Sequence, residues 1–294
     1  MTDCSPQEEA FLEVLYPEND TMSTPALDIV AVHGFGADPY WTWTRGHKHF
    51  LKDSDMLPHF FPNARIMVFG YRSESPTAKT VNHQIAILAV QLLQLVRDNR
   101  SGTHTQPLIF IGHSFGGNII EEAIVDAARE EQRNRELLAS IAGIIFLGTP
   151  HRTPASQPQI LAIPSLLSFL GHGGSSLFLR LKRGPGISES LLFRFKEVAH
   201  LYSILLFCFY ELEMADLSLI MRSHGWHLPP YYCLVVDMHS ATIDDDMASK
   251  EGLKKNHFSL NKFASSQDSD FKNIIRVIDR FYCRYIERES NDRD

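Results

Sequence analysis

Short apolar runs alternate along the chain with longer stretches in which apolar residues recur every third or fourth position, a rhythm that predicts strands joined by helices. Ala26–His33, Arg65–Tyr71, Pro107–Ile111, Ile141–Leu147 and Ile204–Tyr210 are the strand-like runs, with a last strand predicted over about Tyr232–Asp237. Ile141–Leu147 is apolar at consecutive positions, so both of its faces must be covered, as in a parallel sheet packed between helices. Val81, Ile85, Leu88, Leu92 and Leu95 share one face of a helix over about 81–97. A second helix runs from Asn118 through Ala127, and a third begins near Asp268 with Phe271, Ile274, Ile275, Ile278, Phe281 and Tyr285 as its packing stripe. A short helix is predicted within Phe50–Phe61, and the charged stretch Arg129–Glu136 is expected to face solvent.

The rhythm fails in three places. Residues 1–25 are polar, contain Pro17 and Pro25, and read as a loose leader. Residues 152–200 hold the apolar runs Leu161–Leu170 and Leu177–Leu181, separated by Gly171-His172-Gly173-Gly174, and read as an inserted cap able to shield a site. Glu213–Pro230 is a second interruption. The expected organisation is one domain over 26–288 with a cap at about 152–200, followed by a short tail at 289–294.

With 44% hydrophobic residues over 294 positions the chain can bury a large core. Its formal net charge of -7 argues against general nucleic-acid binding. Cys4, Cys208, Cys233 and Cys283 form no Cys-x-x-Cys pair, so neither a zinc knuckle nor a dense disulfide scaffold is expected; Cys208 and Cys233 read as buried free thiols. The polar, acidic start lacks the pattern of a secretory signal, and no run approaches the ~18 apolar residues of a membrane span. An intracellular location is expected, in the cytoplasm or in association with an organelle.

The chemistry centres on Gly112-His113-Ser114-Phe115-Gly116-Gly117, between a strand and a helix. In such an elbow the serine takes a strained backbone and its hydroxyl stands above the sheet. Gly112 and Gly116 are needed because a Cβ at either would crowd the neighbouring elements. Ester cleavage requires a nucleophile, a base, a group to orient that base, and donors for the developing oxyanion. Ser114 is the candidate nucleophile, and His257, in a polar loop beyond the last strand, the candidate base. Glu211, ending the penultimate strand, is placed to accept from His257 Nδ1; Asp237 and the Asp244–Asp246 run remain alternatives for the acid. The backbone N–H groups of Phe35 and Phe115 are the expected oxyanion donors. His33 and His113 flank those two turns and read as structural hydrogen-bonding residues. Tyr40, Trp41 and Trp43 are either a wall for an apolar substrate or packing; Trp41, Trp43, Leu166 and Phe169 are the substrate-binding candidates. No Gly-rich nucleotide loop is present, the acidic run lacks calcium-loop spacing, and no cofactor or metal is expected.

These residues resemble the serine esterase-like α/β-hydrolases related to SERAC1 and the PGAP1-like or DUF676 lipases. The resemblance lies in Val32-His33-Gly34-Phe35-Gly36 followed by Trp41 and Trp43, in the elbow, in Phe146-Leu147-Gly148-Thr149-Pro150-His151, in Phe209-Tyr210-Glu211, and in Asn256-His257-Phe258 to Lys262-Phe263. The sequence departs from it at Arg152-Thr153, where many relatives have Arg-Gly. The resemblance implies an α/β-hydrolase fold, a mostly parallel sheet covered by helices with the cap inserted after the fold's sixth strand. It also implies hydrolysis of a carboxylic ester of a hydrophobic substrate, lipid esters included, through an acyl-enzyme. Exposed cap residues would permit transient membrane contact. The competing expectation is an interaction or signalling module that keeps the fold with little or no turnover.

Overall fold

The computed structural model describes residues 10–18, 25–72, 80–100, 102, 106–152, 189–218 and 229–291. Its strands are β1 (Ala10–Tyr16), β2 (Leu27–Val32), the hairpin of β3 (Thr44–Arg45) and β4 (Lys48–His49), β5 (Ala64–Tyr71), β6 (Leu108–His113), β7 (Ile141–Leu147), β8 (Leu205–Glu211), β9 (Ala215–Asp216), β10 (Tyr232–Cys233) and β11 (Ala248–Leu253). Its helices are α1 (Leu57–Phe60), α2 (Val81–Asn99), α3 (Phe115–Arg129), α4 (Glu131–Ser140), α5 (Glu189–Leu201), α6 (Met238–Ala241) and α7 (Ser269–Asn291).

Seven strands form one sheet in the order β1-β5-β2-β6-β7-β8-β11, parallel throughout except for β1 on the edge. Side chains alternate along each strand and divide the core into two layers. Val30, Met67, Phe110, Ile144 and Leu206 pack with α2, α3, α4 and α5, whereas Ile29, Val68, Ile111, Ile145 and Phe207 pack with α1 and α7. This is the α/β-hydrolase arrangement, and it aligns the C-terminal ends of the parallel strands at one edge, where such sheets carry their sites. At the opposite edge Asp28 is held by Arg65 and Arg100, all three buried, and Arg100 Nη2 also donates to Gln106 O at 2.7 Å. That cluster ties the starts of β2 and β5 to the end of α2.

Two expectations need correction. The presumed leader contains β1, which pairs antiparallel with β5 from Ala10–Tyr71 to Tyr16–Ile66. An edge strand is covered on fewer sides, so Ala10–Tyr16 tolerates Glu13 and never becomes the continuous apolar run that marks the central strands. The last strand of the sheet is β11, Ala-Ser-Lys-Glu-Gly-Leu, and not Tyr232–Asp237. Tyr232 and Cys233 instead pair with Asp216 and Ala215 in a separate two-stranded ladder. β11 escaped the pattern for the same reason as β1: it lies on an edge and only Leu253 is buried. The charged stretch Arg129–Glu136 is exposed as expected, apart from the buried Asn134, and it runs from the end of α3 into α4, whose Leu137 and Leu138 pack in the core. Cys208 and Cys233 are buried free thiols, as expected.

Candidate active site

Because β6 runs directly into α3, Ser114 is where the chain reverses. Its φ of 53° and ψ of −130° form a conformation that L-residues adopt only under constraint. Ser114 N–H donates to Leu147 O at 3.0 Å and Gly117 N–H donates to Ser114 O at 3.1 Å, so β7 and the first turn of α3 hold the strained residue between them. Gly116 is obligatory, since a Cβ there would overlap the Val32 carbonyl at the end of β2. The Phe35 and Phe115 rings stack with centroids 4.9 Å apart and planes 9° apart, both buried. This stack pins the Gly34-Phe35-Gly36 turn beside the elbow and brings together the two backbone segments expected to donate to an oxyanion.

His33 closes the other side of that turn. Tyr71 N–H donates to His33 Nε2 at 3.3 Å, Tyr71 OH donates to His33 O at 2.7 Å, and the two rings stack at 4.1 Å. Burial pushes its pKa down to about 4 against the opposing pulls of the Gly34 carbonyl and Asp38. His33 is therefore a neutral, structural ring near pH 7.

His257 stands in the turn after β11. Its Nδ1 lies 3.5 Å from Glu211 Oε2, and Val236 N–H fixes the same carboxylate by donating to Oε1 at 2.8 Å. Both side chains are buried, yet among the described residues neither ring nitrogen of His257 nor Glu211 Oε2 has a hydrogen-bond partner. The backbone of His257 is held by His113, next to Ser114, whose Nε2 lies 3.0 Å from the His257 carbonyl. Burial, reinforced by the neighbouring His257, pushes the His113 pKa well below its ordinary value, which keeps that ring neutral as a donor to the carbonyl. Gly148 sits under the imidazole at φ +62°; a Cβ would come within 2.8 Å of Leu260 Cδ1 and 3.1 Å of His257 Nδ1.

Three of the alternative acids, Asp237, Asp244 and Asp245, are engaged elsewhere. Asp237 caps α6, its Oδ1 accepting from Ser240 N–H at 2.9 Å. Asp244 pairs with Lys250, and Asp245 with Lys196 and His200. Glu211 is thus the carboxylate that the fold brings to His257. Of the substrate-binding candidates, Trp43 needs correction: it is fully buried against Phe50 in the α7-side core, so it is packing and not an open wall. Trp41 is 69% exposed. Leu166 and Phe169 lie outside the described residues.

A second histidine–carboxylate pair went unread in the sequence. His151 Nδ1 lies 2.6 Å from Glu121 Oε1, and Asn118 Nδ2 donates to Glu121 Oε2 and to Pro150 O, each at 3.0 Å. His151 Nε2 is 3.7 Å from Cys208 Sγ. Burial works against the imidazolium, but Glu121 and the Cys208 thiol outweigh it and raise the His151 pKa to about 9. The available signal was polarity out of place: Asn118 and Glu121 are three residues apart on the apolar face of a helix and are both fully buried.

The sheet order and the turn from β6 through Ser114 into α3 define an α/β-hydrolase fold, and a family match makes it of esterase and lipase type. The family model described as "Putative serine esterase (DUF676)" matches residues 27–200, and the chain belongs to that family. Among curated proteins it is similar to Protein SERAC1 of Danio rerio, 24% identical over 160 residues that make up 47% of this chain and 24% of the relative. Protein SERAC1 of Mus musculus is 26% identical over 161 residues, with the same coverage of 47% and 24%. The match thus spans about a quarter of the relatives' length. Among solved structures, the mature lipase BlEst2 of Bacillus licheniformis matches at a TM-score of 0.46 and 15% identity, covering 90% of this chain and 97% of that one. A carboxylesterase structure from Nitrososphaera gargenis matches at 0.48 and 9% identity, covering 94% and 95%. Among the described residues no helix is long and apolar enough to cross a membrane.

Proposed function

We propose that this protein is a serine hydrolase that cleaves a carboxylic ester of a hydrophobic substrate through an acyl-enzyme. The observation that carries the reading is the strained Ser114 at the start of α3, one residue from the histidine that holds the backbone of the Glu211-paired His257. His257 takes the Ser114 proton as Ser114 Oγ attacks the ester carbonyl, and Glu211 stabilises the imidazolium. The N–H groups of Phe35 and Phe115 hold the tetrahedral oxyanion. Collapse expels the alcohol, which takes the proton from His257, and water activated by the same imidazole releases the acid. The 3.5 Å separation of His257 and Glu211 suits a pair that tightens when the ring becomes charged, as catalytic hydrogen bonds do on going from the free enzyme to the transition state. The uncommitted nitrogens of His257 support the same assignment, because the base must be free to exchange partners during turnover.

The test is labelling with a fluorophosphonate ester probe. Folded wild-type protein is expected to label, and Ser114→Ala and His257→Ala variants with unchanged circular dichroism are expected not to. Absence of labelling in folded wild-type protein would replace this reading with that of a hydrolase-fold interaction module. A series of aryl esters with lengthening acyl chains then tests the substrate class, with kcat/KM expected to rise with chain length.

A further inference from the structure

Glu121, His151, Asn118 and Cys208 form a buried polar network on the α3 side of the sheet that the reaction above does not use. A buried ion pair is a poor device for stability alone, since apolar side chains of equal volume usually serve as well. What this network does have is direction. α3 starts at Ser114; one turn on, Asn118 is tied to the carbonyl of Pro150, and nearly another turn on, Glu121 is tied to the ring of His151. The loop 148–151 is therefore fastened to α3 at its far end. At its near end Gly148 packs under His257, and Gly148 N–H donates to Phe209 O at 2.8 Å. His151 N–H adds a bond to Ser240 O at 2.8 Å, fixing the loop from the other side. The nucleophile helix, the loop and the imidazole are thus linked in one chain of contacts.

We propose that Glu121 and His151, with Asn118, are positioning residues that set the nucleophile helix against the base; this rests on the serine-hydrolase reading of Ser114 and His257. Charge-assisted hydrogen bonds are short and strongly directional, which is the property a gauge between two moving parts requires. The raised pKa of His151 is consistent with a ring that stays cationic and bonded at neutral pH.

The experiment measures the rate of Ser114 acylation by a fluorophosphonate, KM for a hydrolysed aryl ester, thermal melting, and amide hydrogen exchange, in wild type, Glu121→Ala, Glu121→Gln and Asn118→Ala. Positioning predicts that Glu121→Ala slows acylation and kcat by roughly tenfold to a hundredfold well below its melting temperature, with KM changed by less than about twofold. Glu121→Gln, which keeps an acceptor for His151, should recover most of the rate. Amide exchange should quicken at 113–118 and 256–260 and stay unchanged in β2 and β5. Should Glu121→Ala fail to fold, Glu121→Gln and Asn118→Ala carry the same comparison with smaller effects in the same direction. Variants that melt earlier but acylate at the wild-type rate, with exchange altered uniformly or not at all, would overturn the proposal and leave the network a stability element. Absence of labelling in wild-type protein would instead sink the reading of Ser114, and the exchange pattern alone would then decide whether the network couples the elbow to the His257 loop.

Discussion

Glu121 and His151 meet at 2.6 Å on the α3 side of the sheet, whereas Glu211 and His257 stand 3.5 Å apart on the side that faces α7. Strand parity separates them. Cys208, beside His151, shares the layer of Leu206, and Glu211 follows the alternation of Phe207 and Phe209. Both pairs are buried, and the side chains are identical in kind. The first is satisfied at Glu121 Oε1 and Oε2, and its imidazole is pushed toward the charged form. The second leaves three buried polar atoms without partners among the described residues, a condition that costs free energy and is tolerated where those atoms have another use. The Glu121–His151 contact is closed, whereas the Glu211–His257 contact is left open for the imidazole to change partners.

The contrast breaks most sharply at Glu211. Glu211→Gln keeps the size and the bond from Val236 N–H but removes the charge that would stabilise His257; kcat should fall about 10³- to 10⁴-fold with little change in melting temperature, as steady-state kinetics on a chromogenic ester would show. An unchanged kcat would remove Glu211 from the triad. The frame pair should show its largest effect in stability, beside a loss of kcat smaller than that of Glu211→Gln. Glu121→Ala strands His151 in the core and should lower unfolding free energy by about 3 kcal/mol, read from urea denaturation. The ring can escape part of that penalty by losing its proton.

pH sharpens the same comparison with a smaller effect. The His151 pKa is about 9 in the folded protein, above the ordinary 6.5, so its contribution is complete below about pH 6.5 and is lost as pH rises through 9. His33, lowered to about 4, acts oppositely: protonation of the unfolded chain draws stability down as pH falls from 6.5 toward 4. The melting temperature should therefore peak near neutral pH, and His151→Gln should flatten the alkaline limb alone. An alkaline limb unchanged by that substitution would refute a charged His151. The smallest effect is expected at Asp237, where Asp237→Asn should cost at most about 1 kcal/mol of stability, because asparagine caps nearly as well, and should leave ester turnover intact.

The elbow was legible in the sequence because its determinants are local: an apolar strand, glycines at fixed offsets from Ser114 and an amphipathic helix all lie within one stretch of chain. The central strands were legible for a related reason, since burial on both faces demands consecutive apolar residues. His257 could be singled out by its place after the last strands, even though β11, the strand it actually follows, was missed. Local pattern fails at the edges of the sheet. β1 and β11 are held by backbone pairing to one neighbour and need little apolar side-chain area, so Glu13 and the Lys250-Glu251 pair sit in them without penalty. It fails again where polar groups choose partners. Glu211 and Asp237 both read as strand-end carboxylates, Glu211 the chosen acid and Asp237 its alternative, and only the folded chain turned Asp237 into a helix cap and Glu211 toward an imidazole. Glu121 and His151, thirty residues apart, became a pair only because α3 packs over the end of β7. Hydrophobic periodicity is a property of neighbouring residues and can be read from the chain; hydrogen-bond partnership depends on distances of a few tenths of an ångström between distant segments, and only tertiary packing sets those.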